Sequence, residues 1–195
     1  MTTMRVILTR AIRMTRALPM GDTPEAEQME AALEDAQSFY LYFPIRTLKP
    51  VLVTANYTAK ENERVVNTSG SPITVTLPET ITEDGSERAV QNGALVEVAG
   101  TSTERYIYVS ELAAWKELTD LTLISEQPFG PTHDGDVAAM IAARIAGPVF
   151  QRSAPDDVMA LANAGRTAIR AAFRQKYVPT FDRALLRPED LSMET

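Results

Sequence analysis

The sequence predicts an α+β fold. Its main part is a four-helix, mainly α-helical body, which carries an inserted small antiparallel β-sheet and an extended C-terminal tail. Three observations carry this expectation. Apolar residues recur at helical spacing at both ends of the chain, the period falls from 3.6 to 2 between about residues 50 and 109, and residues 179–195 show neither period. The expected division is therefore 1–48 and 110–178 as one helical domain, 49–109 as a β-rich insertion and 179–195 as the tail.

The first helix is expected over residues 4–18, with Ile7, Ala11, Met14 and Leu18 on one face. Pro19-Met20-Gly21-Asp22 breaks it. Thr23 and Pro24 suit the cap and first position of a second helix, with Met29, Leu33, Ala36, Tyr40 and Phe43 as its stripe and Pro44 as its stop. The short link makes the two an antiparallel hairpin.

Five strand-like runs follow: Val51–Val53, Arg64–Val66, Ile73–Leu77, Ala94–Val98 and Arg105–Val109. Turn clusters at 67–72, 84–86 and 100–102 separate several of them. A short helix holding Trp115 is expected over 110–119, then a loop to Asp136. Asp134 or Asp136 can cap a third helix carrying Val137, Met140, Ile141 and Ile145, stopped by Gly147-Pro148. Ser153-Ala154-Pro155-Asp156 reads as the start of a fourth, with Val158, Leu161, Ala162, Gly165, Ile169, Ala172 and Phe173 inward. Neither helical pair has a large apolar face, so packing both pairs together is the economical solution.

Composition narrows the function. The 195 residues include no cysteine and one histidine, His133, which rules out zinc-finger and His-cage sites. No apolar run reaches the length of a membrane span, and Arg5, Arg10 and Arg13 interrupt any signal-peptide core. A net charge of −7 argues against wrapping the outside of a nucleic acid. The charge lies in blocks: four arginines and no acid at 4–18, six acids and no base at 22–35, and eight bases against three acids at 144–187. Such blocks pair within a fold or between copies.

No phosphate loop or nucleophile turn is present, and no enzyme signature is found. His133 with Asp134 and Asp136 could form a small metal-dependent site, against the plainer reading of a loop histidine before helix-capping aspartates. Asp156-Asp157 and Glu83-Asp84 are acidic pairs that could serve acid–base chemistry or bind a cation, but capping and solvation explain both. Arg166, Arg170 and Arg174, spaced i, i+4, i+8, form a basic stripe that could meet phosphates, as in a DNA-binding regulator, or an acidic protein surface. Glu27, Glu30 and Glu34 form the opposite stripe on the second helix, and the two are expected to meet between copies. Arg5, Arg13 and Arg16 allow similar readings on the first helix. In the tail, Phe181, Leu185 and Leu186 lack any amphipathic period and are expected to anchor on another chain.

The run Ile7-Leu8-Thr9-Arg10-Ala11-Ile12-Arg13 leads to Leu18-Pro19-Met20-Gly21-Asp22-Thr23-Pro24 and then Ala31-Ala32-Leu33-Glu34-Asp35-Ala36. Later, Asp136-Val137-Ala138-Ala139-Met140-Ile141-Ala142 leads to Ile145-Ala146-Gly147-Pro148-Val149-Phe150 and an Ala-rich helix. In order and spacing this resembles the head–tail connector proteins of tailed bacteriophages, specifically the portal-bound adaptors or tail accessory factors. The resemblance covers about 1–43 and 110–178, whereas the run 65–78 is instead similar to turns of phage fibre β-domains.

The resemblance implies a structural protein of the virion, made in the host cytoplasm, that forms a ring of about twelve copies beneath the portal protein. It would join the next tail component, a stopper or tail tube, and let DNA pass through its lumen. The tail residues Phe181, Leu185 and Leu186 would then dock on the portal. No catalytic residue, metal or cofactor is implied.

Overall fold

The computed structural model of the chain describes residues 2–19, 21–42, 47–83, 85–100 and 102–174. Among them are four α-helices and a mixed β-sheet, an α+β fold.

Helix α1 (Met4–Met14) buries Met4, Ile7, Leu8, Ala11 and Ile12. It stops short of Leu18 because Arg16 turns left-handed at φ 57°, while the Thr15 hydroxyl donates back to the Ile12 carbonyl at 2.7 Å. Helix α2 (Ala26–Tyr42) buries Met29, Ala32, Ala36, Phe39 and Tyr40. Its start is tied by the Glu25 N–H donating to Gln28 Oε1 at 3.1 Å.

Helix α3 (Asp134–Ile145) follows a 3-10 turn over Pro131–His133. It buries every residue from Val137 to Ala142 as well as Ile145. A helix apolar all round belongs at a centre, and α3 packs against α1, α2 and helix α4 (Asp156–Ala172). Each fully buried Ile or Met on it contributes about 1.5–3 kcal/mol of transfer free energy. Helix α4 buries Val158, Ala162, Gly165 and Ile169, with Phe173 just beyond its end. Leu161 and Ala172, expected inward, are instead exposed. Ser153 does not cap α4, since Pro155 holds the N-cap position without a side-chain bond.

The sheet is mixed rather than antiparallel as expected. Strands β1 (Lys49–Val53), β3 (Glu63–Asn67), β7 (Leu95–Ala99), β8 (Thr103–Val109) and β9 (Ala114–Glu117) lie in the order β1-β3-β7-β8-β9. The first two pairings are parallel and the last two antiparallel. Of the two parallel connections, the short 54–62 and the long 68–94, only the second has the length of an ordinary crossover, and both hold small elements of their own. These are β2 (Tyr57–Thr58) paired with β4 (Val75–Thr76), and the hairpin β5 (Thr80–Glu83) with β6 (Ser86–Ala89). Asn62, left-handed at φ 59°, joins three strands at one point. Its carbonyl accepts from Lys49 N–H at 2.8 Å, its N–H donates to the Leu95 carbonyl at 2.7 Å, and its Oδ1 accepts from Leu95 N–H at 3.2 Å.

Trp115 sits on β9 rather than on a helix. Only a 3-10 turn, Ser110–Leu112, precedes it, and the left-handed Ala113 at φ 47° returns the chain to the sheet. The sheet therefore extends past residue 109, beyond the expected limit of the insertion.

The two sheet faces have different partners. Leu95, Ile107 and Val109 join the helical core, together with Phe39, Tyr40 and Phe129. Val53, Val65 and Val96 form a second core with Ala59, flanked by Tyr57, Ile73, Val75, Leu77 and Trp115. The four helices thus share a core with one face of the sheet rather than forming a free-standing bundle.

Candidate functional surfaces

The histidine cluster expected as a possible metal site is a packing contact. His133 Nδ1 lies 3.3 Å from Asp136 Oδ2, and the ring tilts against Phe173 with centroids 5.7 Å apart. Among the described residues, no three His, Cys, Asp or Glu side chains gather closely enough to hold a metal ion. Asp134 Oδ1 is buried without a hydrogen-bond partner among the described residues, and so is the Tyr40 hydroxyl. Burial raises the Tyr40 pKa well above its ordinary value, and the Asp134 carboxylate raises it further.

The acidic pair at the start of α4 occupies the first helical turn, where carboxylates favour the positive end of the dipole. Asp157 also pairs with Arg16 at 2.8 Å, joining the end of α1 to α4. Arg16 therefore belongs to an intrachain contact rather than to the basic face of α1. Of the Glu83-Asp84 pair, Glu83 ends β5, and Asp84 lies outside the described residues.

Three charged helix faces remain. On α2, Glu27, Glu30 and Glu34 are exposed, as their positions opposite Met29 and Ala36 require. Arg166 and Arg170 are exposed on the flank of α4 beside its buried stripe, and Arg174, expected on the same helix, is exposed just past its end. The main partner of α4 is α3, whereas α2 lies against α1 and α3. The predicted charged stripes are thus both on the surface. Phe181, Leu185 and Leu186 lie outside the described residues.

The third face, on α1, is broader than its sequence reading. Because Met4, Leu8 and Ile12 are buried as well as Ile7 and Ala11, the opposite arc contains Arg5, Val6, Thr9, Arg10 and Arg13. Val6 is 55% exposed there, so the arginines surround an apolar patch. With Met14 these residues line a groove of about 660 Å³. Arg10 was the basic residue missed, and a helical wheel that included Leu8 and Ile12 in the buried arc would have found it.

A second groove, of about 610 Å³, runs between α2 and the segment after α3. It is lined by Glu27, Ala31, Glu34 and Asp35, with Pro148 and Val149 across from them. Asp35 is held by Arg144 of α3 in a two-pronged pair at 2.9 and 3.0 Å, and this raises the Arg144 pKa. The Glu27 and Glu34 side chains make no ion pair or hydrogen bond among the described residues. Glu30 faces a smaller cleft between α1 and α2 that Arg5 also lines.

No helix among the described residues is long and apolar enough to cross a membrane. The chain matches no protein-family model and no curated protein.

Proposed function

We propose that this chain is a structural head–tail adaptor of a tailed bacteriophage or phage-like particle. One observation supports it above the others. A helical pair, a β-rich excursion and a second helical pair follow one another along the chain, and α3 of the second pair returns to lie among α1, α2 and α4. That is the order on which the resemblance of residues 1–43 and 110–178 to portal-bound adaptors rests.

In this reading the protein acts by assembly. Copies form a ring, with twelve expected, beneath the portal protein. The helical layer supplies the contacts between copies, and the tail with Phe181, Leu185 and Leu186 clasps the portal. The ring leads to a stopper or tail tube, and DNA passes through the lumen. The net charge of −7 suits a passage that should not retain phosphates. The charged stripes serve protein contacts, and no side chain performs catalysis.

Electron microscopy of the full chain mixed with portal rings tests this. An added ring of density on the portal, lost when the chain is truncated after Val178, is the expected result. Bare portal rings in the presence of excess folded protein would overturn the proposal.

A further inference from the structure

We propose that the basic groove of α1 in one copy docks on the acidic groove of α2 in a second copy of this chain. The contact deepens the ring reading above by naming the surfaces that meet, and it rests on that reading only for the closure of the ring.

Three observations favour a second copy as the occupant. The first is charge. Arg5, Arg10 and Arg13 make no ion pair among the described residues, and Glu27 and Glu34 make none either. Both sets lie on folded helices, so the backbone is already ordered when they meet. The second is composition. Each groove combines charges of one sign with an apolar element, Val6 and Met14 in one and Ala31 and Val149 in the other. The third is length. Arg5 to Arg13 spans about 12 Å of helix and Glu27 to Glu34 about 10 Å, at 1.5 Å rise per residue.

Arg5 shares a cleft with Glu30 inside one copy, so the residues that discriminate between copies are Arg10 and Arg13 against Glu27 and Glu34. The arginines of α4 are the rival basic face. Arg170 there already has an interaction within the chain, whereas α1 offers unpaired arginines around an exposed valine. The two grooves are different surfaces, so the contact is heterologous. It leaves one free groove of each kind on a dimer and therefore propagates.

The chain has no cysteine, which makes the contact directly testable. V6C and A31C variants, mixed and oxidised at low ionic strength, should give a disulfide-linked heterodimer, with neither variant linking to itself. Sedimentation supplies the second measurement. R10E/R13E and E27K/E34K should each weaken self-association about tenfold or more and keep the wild-type circular dichroism spectrum. Mixing the two should restore association, because each then meets an opposite groove.

R166E/R170E/R174E should associate like wild type. Failure of V6C to link to A31C, or association unaffected by R10E/R13E, would overturn the proposal. So would a mixture that fails to recover. No portal is present in any of these measurements, so their outcome is separate from that of the portal-binding experiment.

Discussion

Gly165 of α4 lies against Asp136 of α3 with no room for a side chain: a Cβ at 165 would stand 2.9 Å from the Asp136 Cα and 2.8 Å from its Cβ. The close approach lets α4 cover α3 along its length, and it leaves the arginine flank of α4 facing outward. In an isolated helix Gly165→Ala would gain up to about 1 kcal/mol from propensity. Here the backbones must separate, and overpacking of this kind costs about 1–3 kcal/mol. Gly165→Ala is therefore expected to lower stability in urea denaturation, and Gly165→Val to lower it further. A stabilised Gly165→Ala protein would contradict the tight crossing.

Tyr40 presents the reverse case, a group that the fold tolerates rather than uses. Its ring meets Phe39 edge-on and Phe129 at a tilt, with centroids 5.2 and 5.1 Å away, but its buried hydroxyl has no partner among the described residues. An unpaired buried hydroxyl costs about 1–3 kcal/mol. Tyr40→Phe keeps the ring and removes the hydroxyl, so thermal melting should shift upward by a few degrees, at about 2–4 °C per kcal/mol for a chain of this size.

The sign of the alkaline effect follows from the same burial. The folded-state pKa of Tyr40 is raised, so above the ordinary value of 10 the unfolded chain loses a proton that the folded chain keeps. Stability is complete below that pH and falls as pH rises above it. Tyr40→Phe should make this fall shallower by about 1.4 kcal/mol per pH unit, one proton's worth.

The acid limb has a different anchor. Glu126 accepts from Lys116 Nζ at 2.6 Å, and this hydrogen bond is the main reason its pKa lies below the usual 4.5. The pair holds β9 to the segment that receives the N-terminus, where Met4 N–H donates to Ser125 O at 2.8 Å and Gln127 N–H to Thr2 O at 3.0 Å. A depressed carboxyl pKa stabilises the fold above the unfolded value, and that stabilisation is lost as pH falls below 4.5 through the folded value. Glu126→Gln should flatten the loss of stability in acid while changing stability at neutral pH by no more than about 1 kcal/mol, as for an exposed pair.

These residues also show where the sequence was legible. The helices could be read because burial repeats locally: Ile7 and Ala11 on α1, and Val158, Ala162 and Ile169 on α4, lie at helical spacing. Leu161 fits the same pattern yet is exposed, because coverage depends on what packs over α4 and not on local spacing. The strands from β1 to β8 were visible in part, but their directions were not. Antiparallel order is the natural expectation for short strands with frequent turns, and the parallel pairing Val65↔Val98 depends on a crossover that leaves no local signature. Trp115 was misplaced for a related reason: four residues, Ala114–Glu117, are too few to show a period, and their strand exists only because Tyr108 lies opposite. Surface charge was legible as blocks, whereas the α1 groove needed Leu8 and Ile12 to be known as buried.

Trp115 also supplies a test of whether the β-rich region is an independent insertion. It is the only tryptophan, it packs edge-on against Tyr108 at 5.5 Å, and its Nε1–H donates to the Pro78 carbonyl at 2.7 Å. Its fluorescence therefore reports on the sheet, while ellipticity at 222 nm is dominated by α1 to α4. Leu95, Ile107 and Val109 on the other face of that sheet are in the helical core, and Asn92 ties the end of α4 to the segment after β8 through Ala172 O at 2.8 Å and Ser110 N at 2.9 Å. A shared core couples the two regions, so the two signals should change at the same urea concentration with the same steepness. Ile107→Ala, which opens a cavity in that shared core, should shift both midpoints together, by about 2–5 kcal/mol in stability. Separate transitions, or an Ile107→Ala effect confined to fluorescence, would mean that the β-rich region folds by itself and that the helices form their own core without it.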